Sequence, residues 1–431
     1  MKIAVVGTGY VGLVTGTCFA ETGNQVMCLD LDQSKIEQLK QAKVPFFEPG
    51  LEDLVEKNSK QGKLKFTTNA DEAFANAQIA LICVGTPSSD NGSANLEYVY
   101  GAARDIAKHA PKDLILITKS TVPVGTGDEV EKIVRNEGRD DIVVVSNPEF
   151  LREGSAVQDC MYPDRVVIGT ENARAKETLT KLYESFVRSG KPILSMKRRS
   201  AEMAKYGANS LLACRISFIN EMSRICENVG ADIQDVRIAM GTDNRIGMQY
   251  LYPSIGFGGS CFPKDVRALE FLAKEHGMQP DLLTATLQAN EKQKDNYVSK
   301  ITEHFGGKES LKGKKIAVWG VAFKAKTDDI RESPSLHVMD KLIALGADIH
   351  SYDPEANQNT NQHYGSDVTV HEDMYTAIEG ADALCVLTEW NEFRSPDFSR
   401  IASVMKTPTL FDGRNLYDVK QLSEFNYYRI G

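Results

Sequence analysis

The chain has 431 residues, with 50 Lys and Arg against 59 Asp and Glu and a formal charge of −9. This length predicts about three domains with full apolar cores, and the lack of any basic block argues against nucleic acid as a partner. No apolar run in the sequence approaches the roughly 18 residues that cross a bilayer, and residues 1–6 resemble a strand rather than a signal peptide, so no membrane partner is expected.

The cysteines and histidines bear on the location of the chain and on metal binding. Eight cysteines are scattered along the sequence without CxxC pairs, which predicts a reducing, cytoplasmic location. No histidine pair or His/Cys cluster has the spacing of metal ligands, so the sequence predicts no metal site.

A glycine pattern lies between a predicted strand and a predicted helix at the start of the chain. Residues 2–6 are predicted as a buried strand, GTGYVG follows at 7–12, and a helix is predicted to end at Gly23. The next strand ends at Asp30, about 20 residues beyond the first glycine, which is the spacing expected for a dinucleotide-binding unit.

Each part of this pattern has a physical role. Gly7 allows a tight turn, Gly9 allows close approach of a pyrophosphate, and Gly12 allows the helix to pack closely on the strand. Asp30 is predicted to accept hydrogen bonds from the adenosine ribose. Its carboxylate favours NAD over NADP, because it would repel a 2′-phosphate.

A similar strand pattern returns in the last third of the chain. Residues 315–320, 346–353 and 382–387 repeat the order of the N-terminal strands, of which 79–84 is the third. The sequence therefore predicts an α/β protein with two Rossmann-like, doubly wound parallel-sheet domains. The second copy lacks the second and third glycines, so its crevice is expected to hold a nucleotide in a different manner.

A long helix is predicted between the two copies. It begins near Ser200 as N-cap and continues to about residue 230, on the order of 45 Å in length. Such a helix either bridges domains or forms a dimer interface. Lys205 and Asn209 are four residues apart and share one face of it, where they either point into a cleft or are a solvated lysine beside a packing asparagine.

A cysteine follows a glycine-rich loop at 256–265, GFGGSCFPKD. Pro263 suits the first position of a helix that ends at Gly277. The helix dipole and Lys264 would then favour the thiolate of Cys261 and make it a nucleophile. Considered alone, the residue fits a buried cysteine in a packing turn equally well.

Further motifs, in one order along the chain, carry a family resemblance. The fingerprint and the cysteine loop are joined by KSTVPVG at 119–125, SNPEFLREG at 146–154, AKYGAN at 204–209 and, in the last third, Phe323-Lys324, Arg331-Glu332-Ser333 and Asp412-Gly413-Arg414. With these motifs the chain resembles the UDP-glucose/GDP-mannose dehydrogenase family. The resemblance implies an NAD-binding Rossmann domain at 1–199, a central helical, dimerising region with the cysteine loop at 200–300, and a UDP-sugar-binding domain at 301–431.

The resemblance also implies a reaction, the four-electron oxidation of UDP-glucose to UDP-glucuronate with NAD. The same chemistry on GDP-mannose or on a UDP-N-acetylhexosamine is the nearest alternative. A nucleotide-binding regulator without turnover is the alternative from another class. A regulator has no chemical need for the full set of Cys261, Lys205, Asn209 and Asp265, which argues against it.

The family pattern assigns roles to individual residues. Cys261 is implied as nucleophile, Lys205 and Asn209 as stabilisers of the reacting oxygen, with Lys205 also open as a base. Asp265 and Thr121 are implied to hold the hydrolytic water. Glu149 matches the acid/base position of the hydrolysis step.

Binding residues follow from the same resemblance. The implied cofactor contacts are Gly7, Gly9, Tyr10, Val11, Gly12, Asp30, Lys35, Thr86, Thr121, Glu153, Lys264 and Arg331. The implied substrate contacts are Glu149, Phe150, Leu151, Arg152, Glu153, Lys205, Asn209, Arg245, Tyr250, Tyr252, Ser254, Gly258, Phe323, Lys324 and Arg414.

Several of these positions have ordinary alternatives or further implications. Lys35 fits a solvated helix residue, Thr86 and Thr121 fit turn formers beside prolines, and Arg331 fits a surface cap. In a homodimer, Arg245 is implied to reach the neighbouring subunit's site. Tyr252 departs from the lysine of animal members and resembles the bacterial form of the loop.

Overall fold

The computed structural model describes residues 1–188 and 190–431. The chain folds into two compact units, Met1–Ala208 and Asn209–Gly431. None of the helices in these described ranges is long and apolar enough to cross a membrane.

The first unit is built on an eight-stranded sheet. Its strands are β1 (Lys2–Val6), β2 (Gln25–Leu29), β3 (Leu64–Thr67), β4 (Ile79–Ile82), β5 (Ile115–Thr118), β6 (Val143–Ser146), β7 (Val166–Gly169) and β8 (Ile193–Met196). The spatial order is β3-β2-β1-β4-β5-β6-β7-β8. The order reverses between β1 and β4, and parallel sheets bind ligands at such a point, beyond the carboxyl ends of the strands.

One strand pair departs from the predicted parallel arrangement. Strands β6 and β7 meet antiparallel, through Ser146 and Gly169, whereas β7 and β8 pair parallel. Strand β7 lies outside the six strands β3-β2-β1-β4-β5-β6 that have the Rossmann order. The antiparallel pair therefore leaves the dinucleotide-binding part of the sheet unchanged.

Helices cover both faces of the first sheet. They are α1 (Tyr10–Glu21), α2 (Gln33–Lys40), α3 (Leu51–Lys60), α4 (Ala70–Phe74), α5 (Glu97–His109), α6 (Thr126–Asn136), α7 (Ala156–Met161) and α8 (Ala173–Tyr183). Successive residues of β1 alternate between two apolar cores, with Ile3 and Val5 in one and Ala4 in the other. This alternation is the one expected of a strand buried on both faces.

The second unit contains a six-stranded sheet. Its strands are β9 (Lys315–Trp319), β10 (Asp348–Tyr352), β11 (Val368–Val370), β12 (Ala383–Val386), β13 (Thr409–Asp412) and β14 (Asn426–Arg429). Their order is β11-β10-β9-β12-β13-β14, and each pair of neighbours runs parallel. This sheet repeats the β3-β2-β1-β4-β5-β6 order of the first unit, as the repeated strand pattern predicts.

The remaining helices include one that is much longer than the others. They are α9 (Arg198–Val229), α10 (Ile233–Gly241), α11 (Phe262–Glu275), α12 (Asp281–His304), α13 (Pro334–Ala344), α14 (Asn357–Tyr364), α15 (Met374–Ile378) and α16 (Phe398–Val404). Helix α9 has 32 residues, which gives a length of about 48 Å, and the division between the two units falls within it. The predicted fold class, two Rossmann-like domains and a long central helix, is confirmed.

The predicted start of the long helix is wrong by three residues. The amide of Ala201 donates to the carbonyl of Lys197 at 3.1 Å, so Lys197 occupies the N-cap position and Ser200 lies inside the first turn. Arg198 pairs with Asp128 and Glu131 of α6. These ion pairs stabilise the first turn of the helix, which would lie outside it if Ser200 were the N-cap.

Candidate active site

The glycine fingerprint forms the turn between β1 and α1. Gly7 has a φ of +95°, and a Cβ there would lie 2.9 Å from the carbonyl oxygen of Cys83. A Cβ on Gly12 would lie 1.9 Å from the carbonyl oxygen of Gly7. Gly9, the N-cap of α1, has open space where a Cβ would be. The loop thus leaves free room at a helix N-terminus, where a phosphate group binds well.

Asp30 lies directly after β2, beside the fingerprint. Its Oδ2 accepts hydrogen bonds from the amide and the hydroxyl of Thr8, both at 2.7 Å, and its Oδ1 accepts from the amide of Asp32 at 3.1 Å. Burial alone would raise the pKa of Asp30, but these hydrogen bonds outweigh it and leave the pKa below its ordinary value. The carboxylate keeps lone pairs for further donors such as ribose hydroxyls. Lys35 lies 3.5 Å from it.

Two predicted cofactor residues meet at the carboxyl ends of β4 and β5. The hydroxyl of Thr86 donates to the carbonyl oxygen of Thr121 at 2.9 Å. The neighbouring Ser120 donates to the carbonyl oxygen of Val84 at 2.7 Å. These bonds link the loops that follow the two strands, on the edge of the sheet where the fingerprint lies.

Glu149 and Lys205 form a buried ion pair within the first unit. The Nζ of Lys205 lies 3.0 Å from Oε1 of Glu149, and the two side chains are only 4% and 5% exposed. The amide of Leu151 donates to the other carboxylate oxygen. The ring of Phe150 lies beneath Lys205, with Nζ 5.4 Å from its centroid. Charges this deeply buried persist only when they are paired and hydrogen-bonded.

The rest of the 149–154 segment is tied to other parts of the first unit. Arg152 forms two hydrogen bonds with the carboxylate of Asp159, at 2.9 and 2.6 Å. The buried Glu48 accepts from the amide of Gly154 at 2.6 Å and from the hydroxyl of Tyr10. Glu48 therefore connects this segment, which includes Glu153, to the first turn of the fingerprint helix.

In the second unit, Cys261 is the N-cap residue of α11. Phe262 is the first helical residue and Pro263 the second, so the predicted position of Pro263 is wrong by one, while its tolerance in a first turn still accounts for it. Gly277, with a φ of +72°, follows the end of the helix as predicted. The Sγ of Cys261 lies 3.6 Å from the hydroxyl of Ser260. A thiol at a helix N-terminus is stabilised as thiolate by the helix dipole.

Asp265 lies one turn after Cys261 and is 1% exposed. Its Oδ2 accepts from the side-chain amide of Asn209 at 2.7 Å, and its Oδ1 pairs with Nζ of Lys264 at 2.6 Å. The second unit thus brings four predicted site residues together at the start of α11. The lysine balances the charge of the buried carboxylate.

The loop that precedes Cys261 is held by side-chain amides. Asn290 accepts from the amide of Phe257 at 2.8 Å and donates to its carbonyl at 3.0 Å. Gln293 donates to the carbonyl of Ser254 at 2.8 Å, and Asn220 accepts from its amide at 2.8 Å. Both ends of this segment are thereby fixed against α9 and α12.

Gly258 lies where the loop touches the segment before α13. A Cβ at this position would lie 2.1 Å from the carbonyl oxygen of Glu332. Because that neighbour is backbone, only glycine fits here without displacing the chain.

The predicted sugar-nucleotide residues of the last domain lie beyond the carboxyl end of β9. Arg414 donates to the carbonyl oxygens of Leu387 and Phe323, both at 2.8 Å. Nζ of Lys324 lies 5.4 Å from the centroid of the Phe323 ring. Arg331 forms two hydrogen bonds with Asp329. Arg414, Phe323 and Lys324 form one group at the crevice of the second sheet.

Asp353 shows why this crevice differs from the first. It follows β10 as Asp30 follows β2, and it is fully buried. Its Oδ2 accepts from the amides of Val321 and Ala322, and its Oδ1 accepts from those of Glu355 and Ala356. A carboxylate that is already this well satisfied has little capacity left for a ribose, in agreement with a different manner of nucleotide binding.

Three further predicted substrate residues lie between α10 and α11. Arg245 pairs with Asp243, and its side chain is 88% exposed. Tyr252 is 58% exposed and stacks under Arg237 at 4.7 Å. Tyr250 has a φ of +60°, and its ring lies 6.1 Å from that of Phe262. Among the hydrogen bonds and ion pairs of the described residues, those of Arg245 go to Asp243, and none links it to a predicted site residue of its own unit.

Comparison with family models covers most of the chain. Residues 1–187 match the NAD binding domain of the UDP-glucose/GDP-mannose dehydrogenase family, 199–292 its central domain, and 317–419 its UDP binding domain. The chain belongs to the UDP-glucose/GDP-mannose dehydrogenase family. The resemblance predicted from the motifs is confirmed, and so is the assignment of the fingerprint to an NAD-binding domain.

Individual members of the dehydrogenase family match along their whole length. The UDP-glucose 6-dehydrogenase of Pseudomonas aeruginosa is 44% identical, with 100% of this chain and 97% of the relative covered. That of Rhizobium meliloti is 46% identical, with 100% and 99% covered. Among solved structures, a UDP-glucose dehydrogenase from the archaeon Pyrobaculum islandicum is 36% identical, with a TM-score of 0.92 and coverage of 99% and 96%.

Sequence reasoning missed residues that hold the predicted site segments of each unit in place. Glu48, Glu202, Asn290 and Gln293 are buried and polar, and each makes hydrogen bonds to loops that carry predicted site residues. One signal was available for α12. Its sequence places Asn290 and Gln293 three residues apart on one face, and polar residues at buried helix positions usually bond to neighbouring backbone.

Proposed function

We propose that this chain oxidises UDP-glucose to UDP-glucuronate. The observation that carries the proposal is Cys261 at the N-terminus of α11, one turn from the buried Asp265–Asn209 pair. A single dehydrogenation of an alcohol needs no nucleophilic thiol. An oxidation that continues to the carboxylate can use one, because addition of a thiolate converts the intermediate aldehyde into a tetrahedral species that can lose a second hydride.

Two hydride transfers and one hydrolysis lead from the alcohol to the carboxylate. The C6 alcohol loses a hydride and a proton and becomes an aldehyde. The Cys261 thiolate adds to the aldehyde carbon, and the oxygen takes up a proton to give a thiohemiacetal, which then loses a second hydride and a proton to become a thioester. Water then adds to the thioester carbonyl, the C–S bond breaks, and the carboxylate, the thiolate and two protons are released.

The cofactor proposed for both oxidations is NAD. The open space at Gly9 and the lone pairs of Asp30 fit a pyrophosphate and a ribose. NAD, when bound, supplies the hydride acceptor for each oxidation step. Further contacts are proposed for Tyr10, Val11, Lys35, Thr86, Thr121, Glu153, Lys264 and Arg331.

The remaining catalytic roles are proposals carried over from the family pattern. Asn209 and Lys205 would stabilise the oxygen that bears developing charge, and Asp265 with Thr121 would hold the hydrolytic water. Glu149 would exchange protons during hydrolysis. Its buried pair with Lys205 supports this, because it places the ammonium of the lysine within hydrogen-bond reach of the carboxylate.

The substrate contacts rest on cationic and aromatic groups in an acidic chain. Phe323, Lys324 and Arg414 are proposed to bind the uridine diphosphate, whose negative charges match the two cations. Leu151, Arg152, Tyr250, Tyr252, Ser254 and Gly258 are proposed as further contacts. The family relatives that carry UDP-glucose in their names support this substrate over other sugar nucleotides.

A homodimer and a cytoplasmic location complete the proposal. The exposed residues Leu211, Phe218 and Ile225 recur every seven residues on α9, and Val229 extends the stripe. A continuous apolar stripe on a long helix is a suitable dimer contact. We propose that Arg245 reaches the neighbouring subunit's site in that dimer. Sedimentation analysis would test the homodimer, and cell fractionation would test the cytoplasmic location.

The first test is the stoichiometry of the reaction. Purified protein with limiting UDP-glucose and excess NAD should form two NADH per sugar, counted by absorbance at 340 nm. One NADH per sugar would mean that the reaction stops at the aldehyde, and it would contradict the thioester intermediate. Competition among UDP-glucose, GDP-mannose and a UDP-N-acetylhexosamine tests the substrate, and a preference for either of the latter would overturn it.

A further inference from the structure

A buried carboxylate of α9 joins two of the sequence motifs to the start of α6. Glu202 is 3% exposed and lies one turn before Lys205. Its Oε2 accepts from the amide of Gly125 at 2.7 Å, and its Oε1 accepts from the amide of Gly127 at 2.8 Å and the hydroxyl of Ser146 at 2.9 Å. Both oxygens are therefore used.

Two of the three donors belong to motifs that carry predicted catalytic residues, and the third lies in α6. Gly125 ends the KSTVPVG motif, which contains Thr121, and Gly127 lies in the first turn of α6. Ser146 begins the motif that contains Glu149. A single side chain thus fixes the distance from the first turns of α9 to both loops.

The packing around Glu202 is close. A Cβ on Gly127 would lie 2.8 Å from Oε1 of Glu202 and 2.9 Å from the hydroxyl of Ser146. Charged groups on α6 and α9 surround the contact, with Arg198 and Arg199 paired to Asp128. Burial raises the pKa of Glu202 in spite of its three hydrogen bonds. Burial of a carboxylate costs free energy, so a glutamate that stays buried here is expected to have a specific structural or catalytic role.

We infer that Glu202 is a positioning residue for the reaction, which sets Lys205 against Glu149 and the Thr121 loop. The inference rests on the proposed function, which gives Lys205, Glu149 and Thr121 their catalytic roles. Glu202 acts through them and touches no fingerprint residue by a described hydrogen bond. Its loss should therefore slow the chemical steps and leave NAD binding as it is.

The test is Glu202→Gln, with kcat, the KM for NAD and amide hydrogen exchange as measurements. A glutamine keeps the shape but turns one acceptor into a donor, which must face a backbone amide or Ser146. We expect kcat to fall by about 10²-fold, the scale of a catalytic group misplaced by an ångström. The KM for NAD should stay within about two-fold, and the amides of Gly125 and Gly127 should exchange faster.

Two further variants keep the test decisive. Glu177→Gln changes an exposed glutamate of α8, away from the proposed dimer contact, and should behave as wild type. Ser146→Ala removes one donor without altering α9, and should lower kcat by a smaller factor than Glu202→Gln. It replaces Glu202→Gln as the test if that variant fails to fold.

Three results would overturn the inference. They are an unchanged kcat in Glu202→Gln, retained protection of Gly125 and Gly127, and equal loss of protection in α1, which would make Glu202 a general structural group. If the wild-type protein oxidised no sugar nucleotide, the proposed function would fail while hydrogen exchange still judged the contact. Retained protection would then contradict the contact of Glu202 with the two loops, and selective loss of protection would support that contact alone.

Discussion

The ammonium of Lys205 lies 3.0 Å from the carboxylate of Glu149, and neither side chain is more than 5% exposed. A pair in this position is costly to break from one side, because the partner is left as an uncompensated buried charge. Lys205→Met or Glu149→Gln alone should therefore lower the free energy of unfolding by roughly 3 kcal/mol.

The double variant separates pairing from packing. Lys205→Met with Glu149→Gln should be more stable than either single variant in urea denaturation, since neither charge then remains. Lys60→Met is a matched control, because its pair with Glu56 is largely exposed and its loss should cost less than about 0.5 kcal/mol. Strictly additive losses in the double variant would contradict the coupling.

Cys261→Ser should abolish carboxylate formation. A serine hydroxyl at this N-cap is far less ionised than a thiol, so the step that makes the thioester is lost, and the rate should fall on the order of 10³-fold or more. Chromatography of the sugar nucleotides would show trace aldehyde or a trapped ester at most. Cys214→Ser, at another partly exposed cysteine, should retain turnover. Wild-type rates in Cys261→Ser would rule out covalent catalysis there.

Asp30→Ala should raise the KM for NAD. The carboxylate is proposed to bind the ribose and also accepts both hydrogen bonds of Thr8, so its loss should weaken binding by about 10- to 100-fold. Glu37→Gln on the exposed side of α2 serves as control. Steady-state kinetics with varied NAD would decide, and an unchanged KM would mean that Asp30 does not bind the ribose.

Gly258→Ala should destabilise the cysteine loop. Its Cβ would lie 2.1 Å from the carbonyl oxygen of Glu332 and 2.7 Å from Cδ of Pro334, and overpacking of this kind costs about 1–3 kcal/mol. Activity and the thermal midpoint should fall together. Gly101→Ala, in open space within α5, should instead keep or slightly raise stability. Equal behaviour of the two variants would contradict the clash.

Stability should fall on mild acidification because of two histidines. Nδ1 of His350 lies 2.8 Å from Nε2 of His371, with Asp348 and Lys315 nearby, and burial lowers the pKa of both histidines. The folded protein then binds fewer protons than the unfolded chain. Their contribution is complete above the unfolded pKa of about 6.5 and is lost as the pH falls through the lowered folded values.

Thermal midpoints measured from pH 7.5 downward would test this. His371→Gln should flatten the dependence on pH, whereas His276→Gln, at an exposed histidine, should leave it unchanged. A wild-type slope in His371→Gln would show that other groups cause the acid sensitivity.

Local patterns account for what the sequence predicts well. The predicted strand at 2–6, the fingerprint turn and the helix after Cys261 each depend on residues close in sequence, and all appear in the structure. The start of α9 was misplaced because Arg198 pairs with Asp128, 70 positions earlier, so tertiary contacts override the cap expected at Ser200. The same limit hides Glu202, whose donors lie at least 56 positions away.

The amides of Asn290, Gln293 and Asn220 give the loop before Cys261 a further property. A glycine-rich segment of this kind would ordinarily lose much backbone freedom when a ligand fixes it. Here that freedom is already lost when the protein folds, so ligand binding does not have to order this segment. Weakening any of these amides should therefore appear first as a slower, less selective encounter with the sugar nucleotide, before the fold itself is affected.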